Sequence, residues 1–167
     1  VHQQQQQNAP LTHTYFLGDG IADPREQLIQ QLISDLGTSG TIFVYYKPFE
    51  LGRIKELAHF FPAYAPQLEA ISTRIVDLIE PFKKQMVKIP ATRGSNSIKD
   101  VLPALVPELS YQSLNIQEGG TARFKYTQLA QYEGFLREQT RQDLLDYCEM
   151  DTLAMVKIWE WLLKEVG

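Results

Sequence analysis

The sequence predicts an α/β domain, and three patterns carry that prediction. An amphipathic helical stretch ends at Gly37 and leads into the continuous β-rich run Thr41-Ile42-Phe43-Val44-Tyr45-Tyr46. A second succession of helix and short apolar run follows between Leu68 and Ile79, and the chain closes on a long helical repeat that starts near Thr140. A strand apolar on both faces and reached through a helix implies a parallel crossover. The chain has 167 residues, enough for one domain with its own core. With 44% hydrophobic residues, 22% charged residues and a net charge of −4, it falls in the globular class and outside the disordered, collagen-like and disulfide-scaffold classes.

Taken in order, Val1–Asn8 is glutamine-rich and reads either as one polar strand or as a short low-complexity run. Leu11–Leu17 alternates in polarity, so the two segments are expected to form an antiparallel hairpin across Asn8-Ala9-Pro10. Asp23-Pro24-Arg25-Glu26 combines a capping acid, a first-turn proline and a glutamate three residues after the cap. Leu28, Ile29, Leu32, Ile33 and Leu36 then line one face. Ile54, Leu57, Ala58 and Phe61 give the next helix, stopped at Pro62. Leu68, Ile71 and Ile75 give another, running towards a short strand at Val76-Asp77-Leu78-Ile79. Ser97 is placed as the cap of a short helix ending near Val106-Pro107. Gly119-Gly120 reads as a break before a weakly helical Ala122–Tyr132. In the last helix Leu144, Leu145, Cys148, Thr152, Met155, Trp159, Leu162 and Val166 define the expected apolar face.

No stretch approaches the roughly 20 apolar residues of a membrane-spanning helix, and the polar start Val1-His2-Gln3 is unlike a secretory signal. A cytoplasmic location with no membrane partner is the expectation. The single Cys148 excludes an internal disulfide and a cysteine-based zinc site, and is expected as an inert core thiol. The opening on Val1, directly in strand-like sequence, reads as the start of a fragment.

Two constellations carry candidate chemistry. Tyr147 and Asp151 stand one turn apart on a face expected to lie away from the apolar one. There they serve either as a metal-binding carboxylate with a water-positioning phenol, or as an ordinary solvent-exposed pair. Glu50 follows the buried strand at the edge where open α/β sheets bind ligands; it either presents a carboxylate to a divalent ion or complements the helix dipole. Between Pro81 and Lys99 lie five basic residues and no acidic ones, Lys83, Lys84, Lys88, Arg93 and Lys99. That run either tracks a phosphate backbone or is a solvated loop. Tyr111 and Tyr126 either stack on bases or pack in the core, and His2, His13 and His59 lack metal-ligand spacing.

With Ile42-Phe43-Val44-Tyr45, Phe49-Glu50, Arg53-Ile54-Lys55-Glu56-Leu57, Asp77-Leu78, Ser97-Ile98-Lys99, the stretch Val101–Pro107, Leu109-Ser110-Tyr111 and Tyr147-Cys148 with Asp151–Met155, nearly the whole chain resembles the bacterial family of domains of unknown function numbered 2779. Members are similar to DnaQ-like 3′→5′ exonucleases on a ribonuclease H-like fold, and often follow a RecB-like nuclease region in the same polypeptide. The resemblance implies a mixed sheet flanked by helices, here without its first central strand, which is expected upstream with an Asp-x-Glu pair. It implies a two-ion Mg²⁺ or Mn²⁺ site with Glu50 and Asp151 as ligands and Tyr147 orienting water. It further implies single-stranded DNA or RNA as substrate, with Lys83, Lys84, Lys88, Arg93 and Lys99 as contacts. Asp77 looks like an aspartate that is structural in related exonucleases. Two departures stand out: Tyr46 replaces the usual asparagine, and Glu50 replaces aspartate, reaching on the order of an ångström farther. A different class also fits: a ribonuclease H-like module that has lost catalysis and serves nucleic-acid binding or scaffolding.

Overall fold

The computed structural model describes residues 1–4 and 9–166. The Gln5–Asn8 part of the expected Val1–Asn8 strand and the Val166 side chain lie outside what is described. The chain begins with β1 (His2–Gln3) and β2 (Thr12–His13), paired antiparallel with His2 opposite His13. α1 (Arg25–Leu36) follows; the Asp23 carboxylate accepts the Arg25 amide at 3.0 Å and pairs with its guanidinium. Gly37, at φ 53°, ends α1 by donating its amide to Ile33 O, a backbone conformation that glycine adopts without cost.

β3 (Ile42–Val44) runs through α2 (Lys47–Phe60) and α3 (Ala65–Thr73) to β4 (Ile75–Asp77), which pairs with it in parallel, Ile42 opposite Ile75. The expected crossover is present. α3 stops at Thr73, so Ile75 belongs to the strand and not to the helix. Then come the short α4 (Glu80–Lys83), α5 (Ile98–Leu105), α6 (Gly119–Gln128) and α7 (Gly134–Val166). The Ser97 side chain caps α5 by accepting the Lys99 amide. Gly119-Gly120 opens α6 where a break was expected.

The sheet differs from the expected one. Among the described residues the fold is a mostly helical α/β arrangement with two separate two-stranded sheets, β1–β2 and β3–β4, and no ribonuclease H-like central sheet joins them. Each strand holds two or three residues, and no described strand bridges the hairpin to β3. For the same reason β3 is not buried on both faces: only Val44 is buried, Ile42 and Phe43 are half-buried, and Val76 on β4 is exposed.

Three apolar clusters hold the elements together. Ile29, Ile54, Leu68, Ile71 and Ile75 join α1, α2 and α3 to the parallel pair. Leu102, Tyr111, Ile116, Leu144 and Tyr147 join α5 to the first half of α7, and Leu78, Phe82, Val101, Ile158 and Leu162 join β4's end and α4 to its second half. Phe43 stacks on Trp159 at 4.3 Å between ring centroids, tying β3 to α7. A fully buried side chain such as Ile158 contributes about 1.5–3 kcal/mol relative to exposure.

The buried face of α7 is only partly the expected one: Leu144 and Leu162 are buried and Met155 and Trp159 pack against the core, whereas Cys148 and Thr152 lie off the seam. Thr140, Leu144, Tyr147, Ala154, Ile158 and Leu162 are buried, a seam of four- and three-residue steps in which Asp151 takes the place between Tyr147 and Ala154. Tyr147 and Asp151 therefore lie on the packed face. Cys148, one position further round, is exposed and not a core thiol. The helix is apolar over a wide arc, and the choice between two adjacent stripes was made by α5 and Tyr111, which only the tertiary fold brings there.

Candidate functional site

The two carboxylates of interest come from elements far apart in sequence. Glu50 sits in the first turn of α2, just past the carboxyl end of β3. That turn is anchored from the neighbouring strand: Asp77 accepts the Tyr46 amide at 2.8 Å and the Lys47 amide at 2.7 Å, satisfying donors that an α-helix leaves free at its N-terminus. Tyr46 itself has φ 81° and ψ 66°, a left-handed conformation that a tyrosine adopts at a cost of about 1–3 kcal/mol. Asp77 is thus a structural anchor, as its sequence context suggested.

Asp151 comes from the α7 seam. Its Oδ1 accepts the Tyr111 hydroxyl at 2.8 Å, and the Tyr147 hydroxyl also leans on the carboxylate. The Tyr111 and Tyr147 rings lie 6.2 Å apart. Lys99, at the start of α5, holds its ammonium 5.9 Å from the Tyr111 ring centroid and favours the ionised Asp151. Against these three, burial dominates and raises the Asp151 pKa above the usual carboxylate value. Burial also raises Glu50, and the Asp151 charge raises it further, so the two carboxylates share one electrostatic environment. Both phenols are pushed up, first by burial and then by the Asp151 charge. A Cβ on Gly119 would sit 3.6 Å from the Tyr147 hydroxyl, which places that hydroxyl beside the first residue of α6.

Asp151 thus has Tyr111, Tyr147 and Lys99 around it, and its charge reaches Glu50. Lys83 stands beside the start of α2, with its ammonium 4.8 Å from the Tyr46 ring centroid. Lys84 is exposed and pairs with Glu80 at 3.1 Å, and Lys88 and Arg93 project from the exposed connection between α4 and α5. Tyr111 is a core residue that also bonds the acid; Tyr126 packs in the same cluster. His2 shares a 2.7 Å hydrogen bond with Thr152 Oγ1, and His13 and His59 are exposed. A cleft of about 500 Å³ lies beside Lys47, Lys55 and Asp77, and another of about 340 Å³ between the hairpin, α1 and α7; neither is lined by Glu50 or Asp151.

Could these residues hold a divalent ion? Hard oxygen donors suit Mg²⁺ or Mn²⁺, which take one or two carboxylates plus water and substrate phosphate. Both carboxyls are raised by burial, and a nearby cation would favour their ionised forms. Among the described residues no group of three or more His, Cys, Asp or Glu side chains is placed to hold a metal ion. No helix among the described residues is long and apolar enough to cross a membrane.

A family model described as a domain of unknown function (DUF2779) matches residues 1–97. An uncharacterized protein of Ureaplasma parvum serovar 3 is 30% identical over 169 residues, covering 87% of this chain and 24% of the relative. An uncharacterized Mycoplasma pneumoniae protein is 34% identical over 130 residues, 69% of this chain and 19% of its own length. The chain spans about a quarter or less of these curated relatives. No solved structure matches it.

Proposed function

The chain belongs to the DUF2779 family, and from that premise we propose that it is the larger part of a metal-dependent 3′→5′ exonuclease domain of DnaQ-like, ribonuclease H-like descent, acting on single-stranded DNA or RNA. One observation carries the reading: Glu50, at the end of a parallel strand, and Asp151, on the last helix, lie in one electrostatic environment although 101 positions separate them. Glu50 and Asp151 would hold Mg²⁺ or Mn²⁺, which would supply activation of water and stabilisation of the leaving oxygen. Tyr147, leaning on Asp151, orients the attacking water, and its raised pKa keeps the phenol protonated as a donor. Lys99 balances charge at the site. Lys83, Lys84, Lys88 and Arg93 offer cations to the phosphate backbone. The remaining acids of a two-ion site come from outside the chain, in a longer cytoplasmic polypeptide that also carries a RecB-like nuclease region.

The test is digestion of a 5′-labelled single-stranded oligonucleotide with Mn²⁺ by the full polypeptide, beside Asp151→Asn and Glu50→Gln. A descending ladder lost in both variants supports the enzyme. Intact DNA and RNA with either ion would instead favour a ribonuclease H-like module that binds nucleic acid or scaffolds a larger nuclease without cleaving. Tyr46 in the place of the family's asparagine favours that second reading.

A further inference from the structure

Two large aromatic rings stand in the open within one turn of Glu50. Tyr46 is 48% exposed and Phe49 57% exposed. Single exposed aromatics are ordinary, so exposure alone decides nothing. The backbone adds a second observation. Tyr46 has φ 81°, a left-handed conformation that glycine or asparagine adopts far more readily than tyrosine. A tyrosine kept there for core packing would be buried, and this one is not. The strained turn is instead clamped by two Asp77 hydrogen bonds, so the ring is held outward on a fixed mount.

The third observation is charge. The Lys83 ammonium lies 4.8 Å from the Tyr46 centroid, and the Arg53 guanidinium lies 5.4 Å from that of Phe49 while also pairing with Glu56. Each ring thus carries a cation on one side. A flat π face beside a positive charge matches a polymer that alternates flat bases with phosphates. It matches an apolar protein segment poorly, because each ring has a cation beside it.

We propose that Tyr46 and Phe49 form a base-stacking lip for single-stranded nucleic acid at the edge of the Glu50–Asp151 site, with Lys83 taking a neighbouring phosphate. The lip rests on the nucleic-acid part of the proposed function and not on cleavage. It gives the site a grip on bases of any sequence, since every base has a π face.

The test is fluorescence anisotropy of a labelled oligothymidylate and of an abasic strand of equal length, in Ca²⁺, with the full polypeptide. Tyr46→Asn suits the left-handed turn and should melt no lower than wild type, so its effect is not misfolding. Tyr46→Asn and Phe49→Ala should each weaken base-bearing binding by about fivefold to a hundredfold and leave abasic binding nearly unchanged. Lys83→Gln should weaken both strands alike. Equal affinity of wild type for the two strands, no binding of either, or full affinity in both ring variants would overturn the lip. Rings shielded by the rest of the polypeptide, with oligonucleotide binding unaffected by their loss, would assign them to an intramolecular contact. Cleavage without base dependence overturns the lip alone, and base-dependent binding without cleavage overturns only the enzyme reading.

Discussion

Replacing Asp77 by alanine should loosen the turn that presents Glu50. The carboxylate accepts the Tyr46 and Lys47 amides at 2.8 and 2.7 Å, and the Ile79 amide at 3.2 Å. Hydrogen bonds to a charged group are worth about 1.5–3 kcal/mol each, with solvent-exposed ones at the low end, and loss of a helix cap costs about 0.5–2 kcal/mol. The Tyr46 amide is exposed and the Lys47 amide part-buried, so the combined loss should be about 2–3 kcal/mol. For a domain of this size that is a fall in Tm of about 4–12 °C. Urea denaturation should show a lower midpoint at unchanged m-value. Because Tyr46 stores strain that the same bonds hold in place, Tyr46→Gly should partly offset the loss in a double-mutant cycle. A loss below about 0.5 kcal/mol, within the range of a neutral surface change, would refute the idea that Asp77 anchors α2.

Tyr111→Phe keeps the ring and removes the donor to Asp151; it should cost about 1.5–3 kcal/mol where the carboxyl is ionised, and the cost should shrink as acid protonates Asp151, which paired denaturation curves would show. Glu50 and Asp151 both titrate above ordinary carboxylates because of burial. Between their unfolded pKa values of about 4 and the raised folded values, the native state holds more protons than the unfolded one, so their contribution makes stability fall as pH rises through that window. Glu50→Gln with Asp151→Asn should flatten that slope in a series of melts. Mn²⁺ should raise the Tm of wild type by an amount that grows with concentration, about 2.7 kcal/mol at a hundred times Kd, and should do so in neither single variant.

Much of the scaffold was legible because its signals are local. Gly37, the Ser97 cap and the Pro62 stop all mark element ends through backbone chemistry confined to a few residues. The parallel return from β3 to β4 follows from two short apolar runs separated by helices. The α7 face was legible only in part, at Leu144 and Leu162, because local periodicity allows two adjacent stripes about 100° apart, one through Cys148 and Thr152, the other through Tyr147 and Asp151. Counting four- and three-residue steps from Thr140 to Leu162 finds the second, but the polar Asp151 in its middle hides it from a hydrophobicity rule. What settles the choice is Tyr111, 40 positions away, donating into that gap. The resemblance marked Asp77 as structural, but its partners, backbone amides 30 and 31 positions earlier, were not legible.

A shared Glu50–Asp151 site is tested most directly by following the Glu50 carboxyl through a pH titration by NMR, in wild type and in Asp151→Asn. With the Asp151 charge removed, the Glu50 midpoint should move down towards the ordinary glutamate value, leaving only the part due to burial. An unmoved midpoint in a folded variant would mean that the two carboxylates do not face each other, and the site would have to be abandoned.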